Sequence, residues 1–133
     1  MSAVFADTHY FAAQFNSKDQ HHAKAVAFTN GYTGDMVTTD WVLVEIADAF
    51  AQQPNRARFV ALYESLQASS QLHIVPADRA TLQTGVSLYS QRLDKAWSLT
   101  DCISFVVMQR EGLTDALTGD RHFEQAGFTI LLK

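Results

Sequence analysis

Two spacings of apolar residues alternate along this chain, and their alternation predicts its architecture. Ala3 to Ala6 is a short continuous apolar run closed by Asp7, the pattern of a buried strand ending in an acid. Tyr10 to Phe15 follows as an apolar, aromatic turn or two of helix. From Asp19 to about Asn30 the alanines, Val26 and Phe28 recur at helical spacing, and Gly31 with Gly34 ends that helix in a loop. Met36-Val37-Thr38 reads as a second strand. Thr39 or Asp40 can cap the next helix, which sets Val42, Ile46, Ala49 and Phe50 on one face with Glu45 one turn inside.

Pro54 opens a helix running to about Gln67, with Phe59, Leu62, Tyr63 and Leu66 as its apolar stripe. His73-Ile74-Val75, bounded by Pro76, is a third strand, and Asp78 caps a helix from about Arg79 to Gln91. After a loop from Arg92 to Ser98, a helix from Leu99 to Arg110 stops at Glu111-Gly112. Asp115 to Thr118 and Phe128 to Leu132 complete five strands. Strands alternating with helices throughout mean an α/β layered fold with a mainly parallel sheet. In such sheets ligands bind beyond the carboxyl ends of the strands, where the strand order reverses, and Asp7 and Asp120 are expected there.

The length, 133 residues, fits one domain, and 47% hydrophobic residues with few glycines and prolines argue for an ordered core. Cys102 is the only cysteine, which removes disulfide frameworks and cysteine-rich zinc sites. No apolar run approaches the roughly 20 residues of a membrane span and no signal-peptide pattern opens the chain, so a soluble, cytoplasmic protein is expected. A formal charge of −4 speaks at first against a nucleic-acid binder. It discriminates poorly if several carboxylates are committed to cations, because each bound divalent ion restores positive charge where a phosphate would sit.

Four acids stand at chemically useful places: Asp7 after the first strand, Glu45 in an early helix, Asp101 at the start of a late helix and Asp120 after the fourth strand. Singly, each has an ordinary explanation as a turn, cap or helix-face acid. Converging, four carboxylates would repel one another without a cation, and their hard oxygens suit Mg²⁺ or Mn²⁺ over zinc.

The combination resembles the PIN-domain family over nearly the whole chain. The resemblance is carried by Val4-Phe5-Ala6-Asp7-Thr8, by Glu45 after the second strand, by Ser98-Leu99-Thr100-Asp101-Cys102-Ile103-Ser104-Phe105, and by Ala116-Leu117-Thr118-Gly119-Asp120-Arg121-His122-Phe123 with Ala126-Gly127-Phe128. It implies a PIN-like three-layer α/β/α sandwich on a roughly five-stranded sheet. It also implies a Mg²⁺- or Mn²⁺-dependent ribonuclease resembling the VapC toxins, with Asp7, Glu45, Asp101 and Asp120 as its acidic site. An RNA substrate, a homodimer and a small antitoxin partner come with the toxin branch of that family. Thr8, Ser98, Thr100 or Thr118 would support the acids by hydroxyl hydrogen bonds.

Other residues have plainer readings. His9, His21, His22 and His73 lack metal-site spacing and read as surface or capping residues; His122 and Arg121 flank Asp120 and could meet a phosphate. Arg79, Arg92 and Lys95 could line a substrate groove. Trp41 and Trp97 read as packing residues before base-stacking ones, and Trp97 as a wedge under the loop that presents Asp101. The competing function is a PIN-like module that binds RNA or protein without cutting. DNA as a substrate stays open, and a phosphoacceptor built on Asp7 is disfavoured because His9 stands where a second acid would be needed.

Overall fold

In the computed structural model, which describes residues 3–133, strands and helices alternate from end to end. Their order is β1 Val4–Ala6, α1 Thr8–Phe15, α2 His22–Gly31, β2 Met36–Thr39, α3 Asp40–Ala49, α4 Asn55–Ala68, β3 Leu72–Val75, α5 Arg79–Gln91, α6 Leu99–Arg110, β4 Asp115–Leu117, α7 Arg121–Gln125 and β5 Thr129–Ile130. The sheet runs β3-β2-β1-β4-β5 and every pairing is parallel. The first three strands step one way across the sheet and the last two step the other way, so the order reverses between β1 and β4.

Right-handed crossovers then put α1 to α4 on one face and α5 to α7 on the other, giving three layers. The packing agrees: α1 lies against α2 and α3, α3 against α4, α5 against α6, and α6 against α7. In addition α3 touches α6, so the helices carrying Glu45 and Asp101 meet.

Local chemistry sets most boundaries. Thr39 caps α3 by accepting from the Val42 amide, and Asp78 caps α5 by accepting from the Thr81 amide at 2.7 Å. Two helices end in the same glycine motif. Gly112 (φ 71°) and Gly127 (φ 98°) take the left-handed conformation, and the amides of Leu113 and Phe128 reach back to Met108 and Phe123 carbonyls at 2.8 and 3.0 Å. These reversals feed the chain into β4 and β5.

Several elements differ from the sequence pattern. Helix α2 begins at His22 instead of Asp19, because Asp19 organises a turn, accepting from the His21 amide on its side chain and the His22 amide on its carbonyl. Helix α4 fully buries only Leu62 of its expected stripe, and Tyr63 remains exposed. Strand β5 is reduced to Thr129–Ile130. The short helix α7 replaces an expected turn, and Asp120 caps it.

Beneath β4 and α7 an aromatic cluster fixes the floor of the sheet's carboxyl end. Phe123 stands edge-on to Phe105 with centroids 4.9 Å apart, Phe105 meets Trp97 at 5.0 Å, and Phe5 of β1 lies 6.3 Å from Phe123. Helix α5 approaches α6 closely at Gly85, where a Cβ would fall 2.5 Å from Ile103 Cγ1. Helix α6 is buried almost all round, including Ser104, whose Oγ lacks a hydrogen-bond partner among the described residues. Ser104→Ala removes that unsatisfied hydroxyl and improves helix propensity. It should stabilise the protein by ~1 kcal/mol, read as a melting temperature about 3–5 °C higher; a lower one would mean that the hydroxyl has a partner.

Candidate metal centre

The strand order reverses between β1 and β4, and the chain places an acid just after each of these two strands, Asp7 and Asp120. Asp7 follows β1 at the N-cap position of α1, yet its side chain makes no cap and is 3% exposed. It turns instead to β4, where the Thr118 hydroxyl donates to Asp7 Oδ2 at 3.0 Å. The same hydroxyl oxygen accepts from the Asp120 amide at 3.0 Å. Thr118 therefore ties the acid after β1 to the acid after β4.

Asp120 caps α7 by accepting from the His122 amide at 2.9 Å. Asp101 is held by a reciprocal capping box at the start of α6: its amide donates to Ser98 Oγ at 3.0 Å, and its Oδ2 accepts from the Ser98 amide at 3.1 Å. His122 Nδ1 lies 2.9 Å from that same Oδ2 and 3.5 Å from Asp120 Oδ1. The donor atoms of Asp101, Asp120 and His122 all lie within 4.8 Å of one another. Glu45 reaches the neighbourhood through Thr8, the residue after Asp7, whose hydroxyl donates to Glu45 Oε1 at 2.5 Å.

Of the four acids expected from sequence, Asp101 and Asp120 thus share one cluster with His122. Asp7 adjoins it through Thr118 and through the charge of Asp101, whereas Glu45 is bonded to Thr8, the residue after Asp7, and is outside the three-residue cluster. The supporting hydroxyls resolve into Thr118 on Asp7, Thr8 on Glu45 and Ser98 in the box; no such bond links Thr100 to an acid among the described residues.

Burial is the dominant electrostatic fact. It pushes the Asp7 carboxyl from 3.8 up to about 7, and the nearby Asp101 charge adds to the effect, against the lowering pull of the Thr8 amide, the Thr118 hydroxyl and His9. A dry carboxylate beside other acids, with imidazoles as the neighbouring bases, is short of positive charge. A divalent cation with oxygen and imidazole donors fits that deficit.

Histidines are what the sequence reading undervalued. His122 faces the acids, and the His21 ring covers Gly119 so closely that a Cβ there would fall 2.5 Å from its Cε1. A histidine two residues beyond a capping aspartate was the available signal, but only α7 turns its ring toward Asp101. Arg121 is exposed and lies 4.0 Å from Glu124.

The basic residues proposed for a groove are partly occupied elsewhere. Arg92 pairs with Asp94 at 3.1 Å and lies 4.9 Å over the Trp97 ring, and Lys95 is 3.7 Å from Asp94. Both line a cavity of about 300 Å³ with Tyr89, Leu93, Trp97 and Cys102. Trp97 itself is buried, stands edge-on to Phe105 and donates to Gln125 Oε1 at 3.0 Å. The Cys102 thiol is pushed up by burial and by Asp101, which disfavours the thiolate a nucleophile needs.

A family model of the PIN domain matches residues 4–129. Among solved structures, the fold is similar to VapC20 of Mycobacterium tuberculosis, a sarcin-ricin loop cleaving toxin, with TM-score 0.87 and 22% identity over 96% of this chain and 97% of that one. It is similar to FitAcB from Neisseria gonorrhoeae with TM-score 0.69 and 17% identity over 96% of each chain. DNA-bound VapBC from Salmonella typhimurium gives TM-score 0.67 and 16% identity over 98% and 97% of the two chains. No curated protein sequence matches this one.

Proposed function

Because the chain belongs to the PIN-domain family, we propose that it acts as a single-domain, Mg²⁺- or Mn²⁺-dependent endoribonuclease, the toxin of a toxin–antitoxin pair working in the cytoplasm. The observation that carries this reading is the convergence of Asp7, Asp101 and Asp120 at the reversal of strand order, with Asp7 dry and tied by Thr118 to the turn that presents Asp120. When bound, a divalent ion supplies activated water and neutralises charge at the scissile phosphodiester.

The chain's own residues prepare that chemistry. Asp101 and Asp120 would hold the ion, and each is fixed in advance by a helix cap, so little side-chain freedom would be lost on binding. Burial excludes water from Asp7, and the Thr118 hydroxyl fixes which oxygen it turns away. Glu45, held by Thr8 beside Asp7, would supply the fourth acid.

Exposed apolar surface supports the partners. Leu43, Val44, Ala47, Phe59 and Tyr63 line a groove of about 560 Å³ between α3 and α4, suited to an antitoxin segment. Val86 and Tyr89 on α5, with Leu93 just beyond it, are exposed and suited to a second copy of the chain. Among the described residues no helix is long and apolar enough to cross a membrane.

The test begins with metal removal. With a sarcin-ricin loop hairpin, an unstructured RNA and a single-stranded DNA, cleavage of RNA should require Mn²⁺ or Mg²⁺, stop with chelator and return on adding excess ion. A folded protein that binds the ion and leaves every RNA intact would favour the non-cutting binding module, and cleavage of the DNA alone would move the substrate class.

A further inference from the structure

We propose that His122 is a direct metal ligand, so that Asp101 Oδ2, Asp120 Oδ1 and His122 Nδ1 form an oxygen, oxygen, nitrogen donor set that favours Mn²⁺ over Mg²⁺. The inference rests on the nuclease reading above for the site's purpose, but its geometry stands on its own. Neighbouring donors on an octahedral ion ligated at about 2.0–2.1 Å lie roughly 3 Å apart. His122 Nδ1 stands 2.9 Å from Asp101 Oδ2 and 3.5 Å from Asp120 Oδ1, close to that spacing before any adjustment.

The backbone also fixes the ring. The His122 amide is committed to Asp120 Oδ1, and α7 is anchored by the fully buried Phe123 next to it. The His122 side chain is 32% exposed, against 11% for Asp101 and 22% for Asp120, so the ring lies on the solvent side of the two acids. With Nδ1 given to the ion, the imidazole carries its single proton on Nε2. Carboxylates alone would serve Mg²⁺ and Mn²⁺ alike, whereas an imidazole suits first-row transition ions and is a poor exchange for one of the oxygens Mg²⁺ prefers.

Two other histidines sharpen the test. His21 lies against Gly119, beside Asp120, and His9 is close enough to Asp7 to lower its pKa. Mn²⁺ is titrated into the full-length chain without RNA, followed by loss of the free-ion paramagnetic signal, and the bound ion is examined by pulsed electron paramagnetic resonance.

A nitrogen modulation from imidazole is expected in the wild type, changing to the ¹⁵N pattern when the histidines alone are ¹⁵N-labelled. His122→Gln should lose the modulation and bind Mn²⁺ about 10- to 100-fold more weakly, with Mg²⁺ affinity and circular dichroism little changed. Bound Mn²⁺ without nitrogen modulation would overturn the proposal and leave His122 as a hydrogen-bond partner of Asp101, while the nuclease reading survived. Modulation that persists in His122→Gln would assign the nitrogen to another histidine and likewise overturn it. Failure of the wild type to bind Mn²⁺ at all would remove both the ligand and the metal-dependent reading.

Discussion

Asp101→Asn should abolish RNA cleavage while leaving the fold in place, with kcat reduced by about 10³-fold or more. The carboxylate has two duties that the substitution separates. As a cap it accepts from the Ser98 amide, and an asparagine oxygen can keep that bond, so the stability loss should stay near ~1 kcal/mol. As a cluster member the same oxygen faces His122 Nδ1 and lies within reach of Asp120. Asparagine removes the negative charge there and so withdraws the main attraction for a divalent cation. Loss of one preorganised charge-stabilising group costs roughly 10²–10³ in rate, and loss of a metal ligand adds to it. The check is initial cleavage rate at saturating Mn²⁺, paired with a thermal melt of the same preparation. A variant that melts normally and cuts within about threefold of wild type would sink the assignment of Asp101.

The second large effect has opposite signs on activity and stability. Asp7→Asn should eliminate cleavage and yet make the metal-free protein more stable at pH 8. In the fold Asp7 holds its proton up to about pH 7, against 3.8 as the ordinary value, chiefly because it is buried. Its native state therefore binds the proton more tightly than the unfolded chain does. Stability falls as pH rises from the unfolded value through the folded one, and above about pH 7 the whole penalty is present.

The difference corresponds to about 4 kcal/mol, an order-of-magnitude figure. An uncharged asparagine does not carry that penalty, so with chelator the variant should melt several degrees above wild type at pH 8, and the gap should shrink toward pH 4. Added Mn²⁺ should raise the wild type more than the variant, because the substitution removes one negative charge beside the ion that Asp101 and Asp120 would hold, and the stabilisation scales with how tightly each form binds it. A variant less stable than wild type at pH 8 in chelator would show that Asp7 is not paying this cost.

Much of the fold was legible because the relevant forces are local or periodic. Ala3 to Ala6 is continuous apolar sequence because β1 is central and buried on both faces, and Glu111-Gly112 stops α6 because a left-handed glycine is needed there. Asp78 announces its helix through a cap the structure contains. Where the sequence misled, the cause was nonlocal packing for α4 and an ambiguity of local sequence for α2 and α7. Helix α4 is written as amphipathic, but its main packing partner is α3 and it fully buries only Leu62, so Tyr63 stays exposed. Helix α7 is too short to show a period, and Asp120 looked like a turn acid because a capping aspartate and a turn aspartate share the same local sequence.

By itself, then, the sequence determined the α/β alternation, the element boundaries to within a few residues, the family, and the positions of four acids at strand and helix ends. Those follow from spacing and capping, which act over a few residues. The tertiary structure decided which groups meet. Thr118 bonds to Asp7 across 111 positions and His122 to Asp101 across 21, contacts that exist only because β1 and β4 lie side by side and α7 turns back over α6. It also decided that Asp7 is dry and Arg92 engaged, since burial and ion pairing depend on the summed surroundings of a group, and no stretch of neighbouring residues specifies them.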